Sequence, residues 1–248
     1  MKLVVYTLLG LIIVLAISVM TVPLGLVMGQ LGLGGLGVGW AHTEGTLHRG
    51  RINGIFTQQQ IIGDVGLELK PLTLLGGGLG YAVDIGGAGM RGTADVTLRP
   101  GKLELSDLRA RQSIAAMEGL AAPIRAMGGE VRITDGSAVF GREGCERLDA
   151  NVVSDALTRA AGQYGKVFGP VAGTLSCENG LIDANLQSDS PDGDIARLLG
   201  QFSLAGAGDV RVEVETRDPA VITFLSTYNF SLEDGVWVYA YSTGGGLR

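Results

Sequence analysis

Gly92–Arg109 reads GTADVTLRPGKLELSDLR, and this stretch decides the fold class. In Thr93–Leu98 and Lys102–Leu105 apolar residues alternate with polar ones. That is the period of a half-buried strand rather than of a helix. Pro100-Gly101 between the two halves is a two-residue hairpin signal. The stretch therefore predicts two antiparallel strands with one apolar face.

The same grammar continues towards the C-terminus. Thr174–Ser176 and Leu181–Leu186 flank Glu178-Asn179-Gly180, where Asn-Gly is a strong hairpin signal. Asp209–Thr216 (DVRVEVET) alternates strictly, and Ser231–Leu232 and Val236–Tyr241 make a last hairpin around Asp234-Gly235. Glu130–Ile133 and Ser137–Phe140 read as strands across a turn at Thr134-Asp135-Gly136. Upstream, Asp64–Leu75 is a strand, and Trp40–Ile55 gives a strand, a turn near Glu44-Gly45 and a second strand. Helical signal is sparse. Ser154–Gln163 has Ser154 or Asp155 as a cap, with Leu157 and Ala161 four apart on one face. Residues 113–128 are alanine-rich and predict a short helix broken before Pro123. Glycine supplies 41 of 248 residues, scattered among Val, Leu, Ile and Thr, which suits many short strands and tight turns. The expected fold is mainly β: a curved, mostly antiparallel sheet with one or two short helices.

Leu3–Val22 is of another kind. Between Lys2 and Glu44 the chain carries no Asp, Glu, Lys or Arg. Twenty apolar or small residues at about 1.5 Å each span roughly 30 Å, the hydrocarbon core of a bilayer. The run is long for a cleaved signal and offers only Ala16-Ile17-Ser18 as a small-x-small site, so it reads as an uncleaved transmembrane anchor. Residues 24–39 hold seven glycines and no charge. The anchor helix is expected to extend to about Met28, with Gly25 and Gly29 spaced either for another membrane helix or as a plain helix end. The domains expected are 1–28 as anchor and extension, 29–39 as Gly-rich tether, and 40–248 as a β-rich domain. Lys2 sits before the run and Arg49 is the next cation, so the N-terminus is expected in the cytoplasm and the bulk exported. In a bacterium that means the inner membrane and the periplasm.

Charge and motifs narrow the function. The formal net charge is −6 with no basic stripe, which argues against nucleic acid as a partner. No G-x-S-x-G occurs, and Gly76-Gly77-Gly78 lacks the Lys-Ser/Thr of a phosphate loop. His42 and His48 could face one another, but two imidazoles without nearby carboxylates make a poor metal site. Asp189, Asp192 and Asp194 lack the spacing and closing Glu of a calcium loop, and read as a solvated loop. No enzyme, cofactor or metal is expected. Cys145 and Cys177 are the only cysteines, and in an oxidising compartment an isolated pair is most simply one disulfide. Trp40 and Arg49 at the membrane-proximal end, with Trp237, Tyr239 and Tyr241 in the terminal hairpin, are candidate partner or membrane contacts; the alternative for them is interfacial anchoring and core packing.

Several segments in order resemble the type II secretion system protein N family. Gly45-Thr46-Leu47-His48-Arg49-Gly50 is similar to that family's stretch just after the anchor, with His48 where Trp is expected. From Asp155 to Gly180, Ala156-Leu157-x-Arg159, Gly169-Pro170, Gly173 and Cys177-Glu178-Asn179-Gly180 look like its second-cysteine region. Cys145 stands where the first cysteine would. The resemblance implies an accessory, non-catalytic component that works with other secretion-system subunits to move folded proteins out of the periplasm. The apolar sheet face also resembles the groove modules of AsmA-like lipid-transfer proteins, with lipid as ligand. A plain cell-envelope scaffold is the third possibility.

Overall fold

Apolar–polar alternation becomes antiparallel strands throughout the computed structural model, which describes residues 21–30, 38–57, 61–87, 89–118, 122–163, 165–203 and 207–243. Residues 3–20 of the expected anchor and 31–37 of the expected tether lie outside the described residues. Among the described residues no helix is long and apolar enough to cross a membrane. The chain divides into two compact units, Met1–Leu98 and Arg99–Arg248.

In the first unit, β1 (Val38–Gly39), β2 (His42–Gly45), β3 (Arg49–Thr57), β4 (Ile61–Lys70), β5 (Leu79–Gly87) and β6 (Met90–Arg99) follow one another in sequence. β3, β4, β5 and β6 pair in that order, all antiparallel. β1 and β2 share the other edge of β3, β1 at Phe56–Thr57 and β2 at Gly50–Asn53. A short helix, α1 (Leu24–Gln30), lies on this sheet. Its spacing of four puts Leu24 and Met28 on one side. Both are buried with Ile52, and Trp40, Leu47, Ile55 and Leu67 pack around them. The residues read as an extension of the anchor are thus docked on β-structure. Gly25 serves that docking: a Cβ there would stand 2.8 Å from the Thr43 hydroxyl of β2.

The strand expected over Asp64–Leu75 stops at Lys70, and Pro71–Gly76 forms a 3-10 turn. Proline has no N–H for the ladder, so the apolar pattern continues while the strand does not.

The second unit is a meander of β7 (Lys102–Ser113), β8 (Glu130–Gly141), β9 (Gly144–Ser154), β10 (Val171–Glu178), β11 (Leu181–Asp189), β12 (Ile195–Phe202), β13 (Gly208–Glu215), β14 (Ser231–Glu233) and β15 (Val236–Thr243). Each strand from β7 to β13 pairs with the next, β13 pairs with β15, and β14 takes the outside of β15. Among the described residues three helices interrupt it: α2 (Ala122–Met127), α3 (Ala156–Gln163) and α4 (Pro219–Thr227). Register aligns the apolar positions. One rung runs Val152–Gly173–Leu186–Leu198–Val212–Tyr239 and the next Ala150–Leu175–Ala184–Gly200–Val210–Tyr241. The core cluster of Ala138, Cys145, Leu148 and Ala150 sits on this face under Leu105, Ile133, Phe140, Leu175, Cys177 and Ile182.

Two expectations are corrected here. Glu130–Gly141 is one strand, not a hairpin. Asp135 does adopt a left-handed φ of 52°, as a turn residue would, but β8 pairs with β7 and β9 on both sides of it and the irregularity is a bulge. Residues 113–128 do not make one helix: β7 runs through Ser113, Ile114–Ala116 is a 3-10 turn, and α2 has Pro123 in its first turn. Proline is tolerated there because first-turn N–H groups have no partner in the helix.

Candidate functional site

The disulfide is formed. Cys145 at the start of β9 and Cys177 near the end of β10 are bridged with Cα atoms 5.6 Å apart. Turn chemistry brings them together. Asn179 (φ 52°) and Gly180 (φ 80°) close the two-residue β10–β11 hairpin, and the Gly180 carbonyl accepts the Cys145 N–H at 2.9 Å. Only glycine suits position 144, where φ is 125° and a Cβ would lie 2.4 Å from the Gly180 oxygen.

α3 is fixed by the two residues before it, each in a different role. The Ser154 hydroxyl accepts the Ala156 N–H at 3.3 Å. Asp155 accepts the Glu130 N–H at 2.6 Å and, from the Arg159 side chain, a hydrogen bond of 2.7 Å. The Arg159 guanidinium, with the Glu130 amide adding to it, holds the Asp155 carboxyl below its ordinary pKa.

The terminal strands carry the predicted aromatics. Trp237, Tyr239 and Tyr241 stand opposite Val214, Val212 and Val210 of β13. Trp237 and Tyr239 are half-buried, and the Tyr239 ring lies 5.4 Å from that of Phe230. Tyr241 is 54% exposed. β14 covers only Val236–Val238 of the outer side of β15. Beyond it, Tyr239–Ser242 has no strand on its outer side among the described residues. Arg211 clamps this edge, reaching Glu213 at 2.7 Å and Glu233 of β14 at 3.0 Å. Its two carboxylate partners raise the pKa of an already charged group. The other two candidates are far apart in character: Trp40 packs in the α1 cluster, whereas Arg49 is exposed where β3 begins.

The structure does not bring the histidines together. His42 in β2 has a carboxylate after all, Glu44 at 3.0 Å, and Asn53 of β3 at the same distance. His48 lies in the β2–β3 turn, where its carbonyl accepts the Leu69 N–H. Among the described residues no three His, Cys, Asp or Glu side chains converge as a metal ion would need. Asp194 is not the solvated residue expected of its loop: it is buried, and its N–H donates to the Ser190 hydroxyl.

Sequence reading missed α4. Asp218-Pro219 carries its signature, an N-cap followed by proline at the first helical position. The Asp218 carboxylate accepts the Ala220 N–H at 2.8 Å and also pairs with Lys166.

Open antiparallel sheet, a few short helices and one disulfide between neighbouring strands define a mainly β, disulfide-braced protein whose conspicuous unfilled feature is a strand edge. A model of the type II secretion system protein N family matches residues 36–236, and the chain belongs to that family. It is accordingly an accessory component of type II secretion. No curated protein and no solved structure matches the chain. The comparisons lend no support to the AsmA-like reading.

Proposed function

We propose that the protein is a non-catalytic part of the secretion machinery, held in the inner membrane by Leu3–Val22 with its sheets in the periplasm. There it binds other subunits by strand addition. The observation that carries this reading is the outer side of β15, uncovered from Tyr239 to Ser242 among the described residues, a stretch that includes exposed Tyr241. An uncovered strand edge presents unpaired N–H and C=O groups, and an added strand satisfies them while pockets for alternate side chains give specificity. The absence of charge from Leu3 to Thr43 and the cation Lys2 before it support the anchor and its orientation.

The test compares the culture medium of a strain lacking the gene with that of the complemented strain. Secreted enzymes trapped in the periplasm and released on complementation are the expected result. A photo-crosslinker at position 241 should then capture a subunit of the same machinery. An unchanged medium together with no crosslink overturns the reading.

A further inference from the structure

Three leucines of the first unit are presented outward by a turn built to hold them there. After Lys70 the chain makes the 3-10 turn Pro71–Gly76 (PLTLLG) and re-enters the sheet at Leu79. Leu72 is 79% exposed, Leu74 49% and Leu75 88%. The polar residue of the turn faces the other way. Thr73 donates from its hydroxyl to the Lys70 carbonyl at 2.6 Å and accepts the Gly80 N–H at 2.8 Å. Gly80 makes room for it, since a Cβ there would meet the Thr73 side chain at 2.5 Å. The Gly77 and Gly78 N–H groups close the turn on the carbonyls of Leu74 and Thr73 at 3.1 and 3.2 Å. From Pro71 to Val83 there is no charged side chain. Ordinary exposed leucines are single and scattered; three on one pinned, uncharged turn form a contact surface.

The place of this turn says what it contacts. At the end of the sheet where β4 finishes, the Leu69 N–H donates to the His48 carbonyl at 2.8 Å, and Glu68 stands opposite Arg49. One step further, the Leu47 N–H donates to the Val22 carbonyl at 3.0 Å and Pro23 bridges to Thr46. Val22 is the last residue of the apolar run. The leucine turn is thus joined, through the β2–β3 turn, to the point where the chain leaves Leu3–Val22. Leu26, in the first turn of α1, is also exposed and apolar, and Arg49 is an exposed cation at this end.

We infer that the Leu72–Leu75 turn is a second membrane contact, inserting its leucines into the interface of the bilayer that Leu3–Val22 spans. This rests on the anchored reading above, which delivers this end of the sheet to the membrane. A pinned turn loses little conformational freedom on insertion, and its exposed leucines bury apolar surface at the headgroup–acyl boundary, as the apolar faces of interfacial helices do. Arg49, at the same end of the sheet, suits anionic headgroups.

The experiment uses the full chain reconstituted in phosphatidylethanolamine–phosphatidylglycerol vesicles. Both native cysteines are in the disulfide, so Leu75→Cys gives one thiol for an environment-sensitive fluorophore. Arg91→Cys is the control: also exposed, and at the far end of the β5–β6 pair, opposite Gly86. The expected result is a blue-shifted probe at 75 that lipid-borne quenchers extinguish, and a water-like, unquenched probe at 91. Flotation and resistance to carbonate extraction report the anchor in the same samples. Vesicle-bound, carbonate-resistant protein with an unquenched probe at 75 overturns the leucine contact and leaves the anchor standing. Protein that does not float with vesicles overturns both.

Discussion

The Cys145–Cys177 bridge joins residues 32 apart in sequence, and Cys145 belongs to the buried cluster of the second unit, so its worth can be stated. Loop closure of that length stabilises by about 3–4 kcal/mol in the chain-entropy model. Denaturant titration with and without reductant should show a loss of that size, and an unchanged midpoint would mean the bridge constrains nothing. Asp155 makes a smaller, pH-dependent contribution. Because its folded-state pKa is depressed, the stabilisation is present above the unfolded pKa of about 4 and is lost as pH falls through the folded value. Its carboxylate is a third exposed, so the Arg159 pair is worth only roughly 0.5 kcal/mol. Asp155→Asn should therefore lower stability slightly at pH 7, and the gap to the wild type should close in denaturation curves below pH ~4. A gap that persists in acid would place the effect elsewhere.

At the scale of elements, close backbone approach decides as much as hydrophobic pattern. Gly173 lies mid-strand in β10 between Val152 and Leu186, and a Cβ on it would come 1.9 Å from the Asn185 carbonyl oxygen and 2.8 Å from the Leu186 Cα. Both are backbone atoms and neither can swing aside. Gly173→Ala should cost about 3 kcal/mol, the upper end of overpacking, and loosen β10 from β11. Amide exchange should then rise along Ala172–Ser176 and Asn185–Gln187. Uniform protection there would show that the strands absorb the methyl. Hairpins with local turn chemistry were legible in the sequence: Asn179-Gly180 and Asp234-Gly235 both reverse the chain, with Asn179 at φ 52° and Asp234 at φ 49°. The end of β4 was misread because Leu72, Leu74 and Leu75 look like strand residues, and Pro71 is the one that matters. β5, β9 and β12 went unassigned as strands and α4 as a helix, although the Asp218-Pro219 cap is there to be read.

For the whole molecule, orientation is the property that most constrains the proposed role. A reporter active only in the cytoplasm, fused after Arg248, should stay silent, and a bright signal would reverse the orientation inferred from Lys2. The family itself was visible in ordered short motifs, and the structure gives some of them reasons. Gly173 is where two backbones meet, Asn179-Gly180 turns the chain beside the bridge, and Gly45 has a φ of 82° with a Cβ position 2.4 Å from the Arg49 carbonyl. The candidate contacts were less legible. Five aromatic or cationic residues stood out in the sequence, yet Trp40, Trp237 and Tyr239 are half-buried and only Arg49 and Tyr241 are exposed. Burial depends on what packs from elsewhere, which a lone tryptophan does not announce.

Composition, alternation and turn residues by themselves determined a mainly β, antiparallel chain, its disulfide pair and some of the places where the backbone turns left-handed, Asp135, Asn179 and Asp234 among them. These are local properties, set by the side chains within a few residues. Only the tertiary structure decided what each left-handed residue does. Asp135-Gly136 has the same chemistry as Asp234-Gly235, but its flanks pair with β7 and β9 rather than with each other, so the chain bulges instead of reversing. The same holds for the leucines after Pro71: their hydrophobicity is in the sequence, but Thr73 and Gly80 meeting across the turn is what faces them outward.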